Sequence, residues 1–541
     1  MGIIKQITNE IESVEGVQLL DVDAGKATNR TVVTFVGNPN AVVEAAYRAI
    51  KKAGELIDMR SHKGEHPRMG ATDVCPLIPI SGISMEETVE FAKKLGKMVG
   101  ESGIPVYLYE YASDKDYRKN LADIRMGEYE LLHSKIVRPE WKPDYGPAVF
   151  NERSGATVIG ARDFLIAYNI NLNTTSTRRA NAVAFDIREK GRQKKDANRK
   201  IIKNENGEPV WEPGLLKSVK AIGWYIEEYG IAQISVNLTN MNVTPLHVLF
   251  DTACERASAR GLRVTGSELV GLVPLQAMVE AGKYFLRKQQ RSIGVGEEEL
   301  VRIAIVSLGL NELTPFNPQK KIIEYRLRDM NAKKLVDMSL TAFAAETAKE
   351  SPAPGGGSIS AYCGVLSAAL ATMVANLSSH KKGWDARWEE FSNYAEQGQT
   401  IMKEFLYLVD EDTNAYNKIM EGFGLPKTTD EEKAIRKAVI EKATIYAIEI
   451  PFRTMELAMK SFELAKKMAE IGNPNSVSDA GVGALCAKTA VKGGYMNVKI
   501  NAKGLENNPA IKAILEKAEA MNKAADAIEQ EIVNIVLGKM N

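Results

Sequence analysis

Histidine is scarce in this 541-residue chain, and two of its five histidines share one short block, His62-Lys63-Gly64-Glu65-His66-Pro67-Arg68-Met69-Gly70-Ala71-Thr72-Asp73-Val74-Cys75-Pro76. Imidazole is the side chain whose ordinary pKa lets a proton move both ways near neutrality. A pair flanked by Glu65, Arg68 and Asp73 therefore reads as acid–base machinery. The spacing also matches H-x-x-E-H, a zinc-protease pattern that requires both histidines on one helical face. Gly64 weakens a helix and Pro67 turns His66 away from helical dihedrals. The block is expected to be a shaped loop, with no metal.

A second candidate lies far along the chain. Met402, Phe405, Val409, Asp412, Tyr416 and Ile419 recur at spacings of three and four and so share one helical face, with Asp410 and Glu411 off that stripe. Asp412 is then a carboxylate on an apolar face, which must be paired, neutralised or used. A buried ion pair and a catalytic acid both satisfy that condition. The turn Pro354-Gly355-Gly356-Gly357-Ser358 leads into a helix, so its N–H groups suit an anion, although a turn for close helix packing fits equally. Asp21 and Asp23 fall on the same face of a strand, to orient a histidine or to face solvent. Gly146-Pro147-Ala148-Val149-Phe150-Asn151-Glu152-Arg153-Ser154-Gly155 is a loop between two sub-domains, a place where small ligands bind.

The elements that must carry these residues change character near residues 328–338. Before that point strands and helices alternate. Strands are expected at 17–23, 31–36, 76–80, 105–109, 164–172 and 232–238. Helices are expected at 41–54, from the capping box Ser84-Met85-Glu86-Glu87, near 179–191 and over 244–260. Polar–apolar alternation in the strands favours antiparallel sheets with one covered face. The fold class is therefore α+β in the N-terminal half, as two tandem α/β sandwich sub-domains of ferredoxin-like type over 1–155 and 156–330. An all-α C-terminal domain follows over 338–541, with a T-x-x-E box at Thr429-Asp430-Glu431-Glu432.

Bulk properties exclude several classes. A net charge of +1 provides no field to recruit nucleic acid or an anionic membrane. The Lys/Arg-rich stretch from Arg188 to Lys203 lacks interleaved aromatics and reads as a solvated insertion. Cys75, Cys254, Cys363 and Cys486 form no C-x-x-C pair, which suits a reducing cytoplasm. Ser351 to Ser379 is uncharged but rich in Ala and Ser, and reads as a buried core or interface helix rather than a membrane span. A soluble, cytoplasmic homo-oligomer without a stable membrane anchor is expected.

The histidine block, preceded by Leu20-Asp21-Val22-Asp23-Ala24-Gly25 and Asn29-Arg30-Thr31-Val32, resembles glutamate formimidoyltransferase. So do Gly160-Ala161-Arg162-Asp163-Phe164-Leu165-Ile166-Ala167 and Val270-Gly271-Leu272-Val273-Pro274. The C-terminal part resembles formimidoyltetrahydrofolate cyclodeaminase at Ala353-Pro354-Gly355-Gly356-Gly357-Ser358, Leu408-Val409-Asp410-Glu411-Asp412, Gly472-Asn473-Pro474 and Asn497-Val498-Lys499-Ile500-Asn501. The order is that of the bifunctional formimidoyltransferase-cyclodeaminase family. The resemblance implies transfer of the formimidoyl group from N-formimidoyl-L-glutamate to tetrahydrofolate. Closure to 5,10-methenyl-tetrahydrofolate with loss of ammonia would follow, in histidine breakdown and with no metal. It puts the catalytic histidine at His66, folate binding at Gly146 to Gly155 and the cyclodeaminase acid at Asp412.

Chemistry and proximity then make Asp23 the candidate to orient His66, Arg68 a contact for an anionic substrate group, and His62 a structural or ligand-contacting neighbour. Members of the family form a ring-like octamer; at least a dimer is expected here. Family members open with a strand ahead of the helix Ile3 to Val14 that is not in this sequence. A misplaced start codon is the expected reason, and only if Met1 is the true start would an open sheet edge put transfer in question. The rival readings are a chain in which only the cyclodeaminase works, its N-terminal half a folate-binding or scaffolding module, and a structural protein.

Overall fold

The computed structural model describes residues 2–25, 29–64, 67–327, 334–351 and 353–540. The chain divides into two compact units, Met1–Met278 with Leu308–Arg328, and Val279–Ser307 with Asp329–Asn541.

The first unit opens with α1 (Gly2–Glu12), β1 (Val17–Gly25), β2 (Arg30–Gly37), α2 (Pro39–Leu56), β3 (Val74–Leu77), α3 (Met85–Glu101), β4 (Val106–Glu110) and β5 (Thr157–Ala161). Local chemistry starts the helices. Asn38 caps α2, with Pro39 in its first turn. The expected box at α3 forms, with Ser84 Oγ accepting from the Glu87 N–H at 3.2 Å and the Glu87 carboxylate accepting from the Ser84 N–H at 2.8 Å.

β1 and β2 make an antiparallel pair, whereas β3 and β4 both pair with β5 in parallel. That parallel sheet corrects the antiparallel expectation. Every residue of β5 and all but the last of β4 are buried, as in strands covered on both faces, and α3 provides the crossover from β3 to β4. The remaining edges of β2 and β3 pair with no other strand among the described residues. Ile3, Ile7 and Ile50 of the helices, Val33 of β2 and Cys75 of β3 line one cavity of about 930 Å³.

The second half of this unit has β6 (Ile166–Leu172), α4 (Thr177–Ile187), β7 (Val219–Ile226), β8 (Ile231–Leu238), α5 (Leu246–Ser258) and β9 (Val264–Val270). Its sheet, in the order β9-β6-β8-β7, is antiparallel throughout, as the alternation predicts. Ala232, Ile234, Val236 and Leu238 are buried on one face of β8. The Lys/Arg-rich insertion forms a small two-stranded ladder, Arg192–Gln193 against Trp211–Glu212.

The second unit is helical. After α6 (Leu275–Lys288), which straddles the division, and α7 (Glu297–Ser307), its core helices are α8 (Gly356–Ser379), α9 (Trp388–Gly424), α10 (Asp430–Ile471), α11 (Val477–Asn501) and α12 (Pro509–Met540). The uncharged helix α8 is mostly buried, and a side chain at its Gly364 would strike the Phe405 ring of α9. The segment between α6 and α7 is tied to this unit by three bonds. Ile293 N–H donates to Ser392 Oγ (3.0 Å), and the amides of Asn376 and Gln399 donate to the Gly294 carbonyl at 2.8 and 3.3 Å. Nothing in the sequence signals that attachment.

Candidate active sites

Between α2 and β3 the described residues of the histidine block, on either side of Glu65 and His66, are loop. Glu65 and His66 lie outside the described residues, so the geometry below is that of the frame on either side of them. His62 Nε2 lies 3.0 Å from the Asn29 carbonyl, and the Asn29 amide donates to the Lys63 carbonyl at 2.7 Å. The end of the β1–β2 hairpin is thereby tied to the block. Ala24, Gly25, Asn29, His62, Arg68 and Asp73 all line the same cavity. Asp23 is exposed on β1, opposite Val32.

Arg68 is the clasp of the loop. Its guanidinium makes a fork–fork pair with Glu130, Nη1 to Oε2 at 2.8 Å and Nη2 to Oε1 at 2.7 Å. It also reaches Glu128 Oε2 at 3.1 Å and donates to the His62 carbonyl at 3.0 Å. The Glu130 hydrogen bond outweighs burial and raises its pKa above the ordinary arginine value. Sequence reasoning missed both glutamates. They stand some sixty positions away, and no local spacing connects them to Arg68. Asp73 closes the far end, accepting from the Met69 N–H at 3.0 Å and pairing with Arg30 (3.4 Å) and Arg125.

The stretch Gly146–Gly155 is brought against this loop. Ala71 N–H donates to the Ser154 carbonyl (2.8 Å), Ala156 N–H donates to the Met69 carbonyl (3.0 Å), and Gly70 and Gly155 form a bridge. Gly155 has φ +66° and lies where any side chain would overlap the Met69 carbonyl, so two separate constraints call for glycine. Within the stretch, Asn151 Oδ1 accepts from the Ser154 N–H at 3.1 Å, and Arg153 donates to the Glu55 carbonyl at 2.6 Å. Phe150 packs on the Tyr129 ring at 5.3 Å, whose hydroxyl donates to the Glu152 carbonyl. Gly146, Pro147 and Val149 are exposed, Ala148 is half-buried, and the buried Ser154 Oγ has no partner among the described residues.

In the helical unit, the two motifs that the sequence leaves apart meet. Asp412 of α9 stands at the first turn of α8, where Ser358 Oγ donates to its Oδ2 at 3.1 Å and the Ser358 N–H also bonds it. The anion at this helix start is thus the protein's own carboxylate. Burial raises the Asp412 pKa above the ordinary aspartate value, and the Ser358 bonds only partly offset it. A side chain on Gly357 would overlap the carboxylate, and one on Gly356 would press the Asn497 amide of α11. Glycine at position 357 is therefore a packing requirement as well as a turn signal.

Its two acidic neighbours have separate partners. Asp410 accepts from the Leu335 N–H at 2.7 Å, and burial raises its pKa too. Glu411 lies off the apolar stripe yet is buried, held by Tyr446, Asn414 (3.1 Å) and Lys418 (3.2 Å). Periodicity alone missed it, because the long helix α10 covers a second face of α9. Among the described residues no group of three His, Cys, Asp or Glu is placed to hold a metal ion.

Comparisons with known proteins agree along the whole chain. Residues 1–162 match the family model of the formiminotransferase domain, N-terminal subdomain; residues 167–328 match the formiminotransferase domain; and residues 339–520 match formiminotransferase-cyclodeaminase. The formimidoyltransferase-cyclodeaminase of Gallus gallus is 42% identical, over 96% of this chain and 94% of its own length. That of Dictyostelium discoideum is 40% identical, over 99% of this chain and 96% of its own. The glutamate formimidoyltransferase of Thermoplasma acidophilum is 41% identical over 52% of this chain and 87% of its own length. With alignments running through both units at this level, the chain belongs to the formimidoyltransferase-cyclodeaminase family.

Proposed function

We propose that the chain is a bifunctional enzyme that moves the formimidoyl group from N-formimidoyl-L-glutamate to N5 of tetrahydrofolate. It then closes 5-formimidoyl-tetrahydrofolate to 5,10-methenyl-tetrahydrofolate with release of ammonia. Tetrahydrofolate is a co-substrate, and no metal takes part. In transfer, N5 attacks the amidine carbon and the bond from that carbon to the glutamate nitrogen breaks. His66 takes the proton from N5 and returns it to the departing nitrogen, a role worth about 10²–10⁴-fold. Asp23 orients or charge-stabilises His66. Arg68 holds the loop and contacts an anionic group at its edge, with His62 as its neighbour. Folate lies along Gly146–Gly155. In ring closure, N10 attacks the same carbon and the bond from that carbon to the formimidoyl nitrogen breaks. The proton lost by N10 balances the one gained by the departing ammonia; Asp412 protonates that leaving nitrogen or manages the N10 proton.

The observation that supports this reading best is the pairing of the histidine loop with the 146–155 stretch, Ala71 N–H to Ser154 O and Ala156 N–H to Met69 O. It joins the residues that follow His66 in the chain to the stretch that this reading assigns to folate. The domain division we favour is 1–155, 156–330 and 338–541, the first two as ferredoxin-like sandwiches. We place the enzyme in the cytoplasm, without nucleic acid or a stable membrane anchor, as a homo-oligomer of two or more chains, up to an octamer. Leu366, Met373 and Leu377 of α8 and Val482 and Leu485 of α11 are exposed apolar residues that support self-association.

The test is a coupled assay of the full chain with N-formimidoyl-glutamate and tetrahydrofolate, following glutamate release and methenyl-folate absorbance together. Both signals are expected to rise. Methenyl product formed only from supplied 5-formimidoyl-tetrahydrofolate would reduce the N-terminal half to a folate-binding module.

A further inference from the structure

Resting on the assignment of Asp412 as the acid of ring closure, we propose that Ser358 is its positioning residue. The Ser358 hydroxyl holds the Asp412 carboxyl in one orientation and hydrogen-bonds it in both protonation states. Ser358 is fully buried, so its hydroxyl must find partners inside the protein. Its Oγ has two, Asp412 Oδ2 at 3.1 Å and Thr413 Oγ1 at 3.4 Å. A hydroxyl carries one hydrogen and two lone pairs. Facing the carboxylate, Ser358 donates to Asp412 and accepts from Thr413. Facing the acid, it accepts from Asp412 and turns its own hydrogen to Thr413. One proton can therefore leave and return while both oxygens stay in place.

The other groups around Asp412 are committed elsewhere. On its own helix, Asp410 is bonded to Leu335 beside Lys334 and Asp337, and Glu411 to Tyr446, Asn414 and Lys418. From α10 the Tyr446 hydroxyl is on Glu411. From α11 the Asn497 amide donates to the Gly493 carbonyl at 2.8 Å. Ser358 is thus the neighbouring side chain that acts on the Asp412 proton, consistent with burial being the larger influence and Ser358 the opposing one.

The experiment is the pH dependence of kcat/KM for cyclisation of 5-formimidoyl-tetrahydrofolate by the full chain, for wild type, Ser358→Cys, Ser358→Ala and Asp412→Asn. The limb due to Asp412 is expected to move to higher pH, by about half to one pH unit in Ser358→Ala and less in Ser358→Cys, because a donor that favours the carboxylate is lost. KM should stay within about twofold while kcat falls. A Ser358→Ala profile scaled down evenly at every pH would mean that Ser358 only packs, and would overturn the proposal. If Ser358→Ala does not fold, the near-isosteric Ser358→Cys decides alone, by whether its limb moves. Wild-type cyclisation by Asp412→Asn would instead overturn the assignment of the acid, and the role of Ser358 with it.

Discussion

Gly357 and Asp412 are in contact only because one of them has no side chain: a β-carbon on Gly357 would overlap Asp412 Oδ1. The carboxylate rests on bare backbone at the start of α8, and the glycine is as much part of the site as the acid.

Gly357→Ala is therefore expected to push Asp412 out of place. Overpacking of this kind costs about 1–3 kcal/mol, and a displacement of an ångström costs about 10²-fold in rate. Cyclisation of supplied 5-formimidoyl-tetrahydrofolate should fall by roughly that factor, while glutamate release in the transfer assay is retained. Equal cyclisation by the variant would show that the carboxylate tolerates another position.

Asp412 also makes a prediction about stability against pH. Burial raises its folded pKa above the unfolded value of about 3.9. Ionising it therefore costs the fold. The cost is absent below about pH 4, grows as the pH rises through the folded value and is constant above it. Asp412→Asn cannot ionise, so at neutral pH it should protect α8 and α9 from hydrogen exchange better than wild type does. That advantage should vanish as the pH is lowered towards 4. A variant less protected at pH 7 would mean that the carboxylate is a net stabiliser.

Arg68→Lys keeps the charge of the clasp and loses its fork. Lysine offers a point charge that cannot pair with both Glu130 oxygens and still reach the His62 carbonyl. Transfer kcat/KM is expected to drop about tenfold, a loss of roughly one charge-assisted bond, with cyclisation unchanged. Glu130→Gln should do nearly the same. If transfer survives Glu130→Gln but fails in Arg68→Lys, Arg68 acts on substrate and the clasp is secondary.

His66→Ala is expected to lower transfer by about 10²–10⁴-fold and to spare cyclisation. His62→Ala should lower it less, since the His62 ring nitrogen already sits on the Asn29 carbonyl. The glutamate-release rate for each variant at saturating tetrahydrofolate checks both. Undiminished transfer in His66→Ala would remove the acid–base mechanism.

Much of this was legible along the chain, because the forces involved are local. The boxes at Ser84 and Thr429 began helices, and spacings of three and four turned Phe405 and Val409 inward and set Asp412 against Ser358. The antiparallel expectation failed at β3-β5-β4, where whole strands are buried and alternation carries no information about direction. Local pattern cannot report what covers the other face.

By itself the sequence determined which residues could do chemistry, which elements hold them and where the composition turns helical. Those properties depend on backbone dihedrals and on side-chain periods of two and 3.6 residues. Only the tertiary structure decided that Glu130 grips Arg68, that Ser154 is bonded to the histidine block, and that the Gly-rich turn receives Asp412 rather than an outside anion. Partners dozens of positions apart are chosen when burial forces each polar group to find a mate, and that choice is made by packing the whole unit at once.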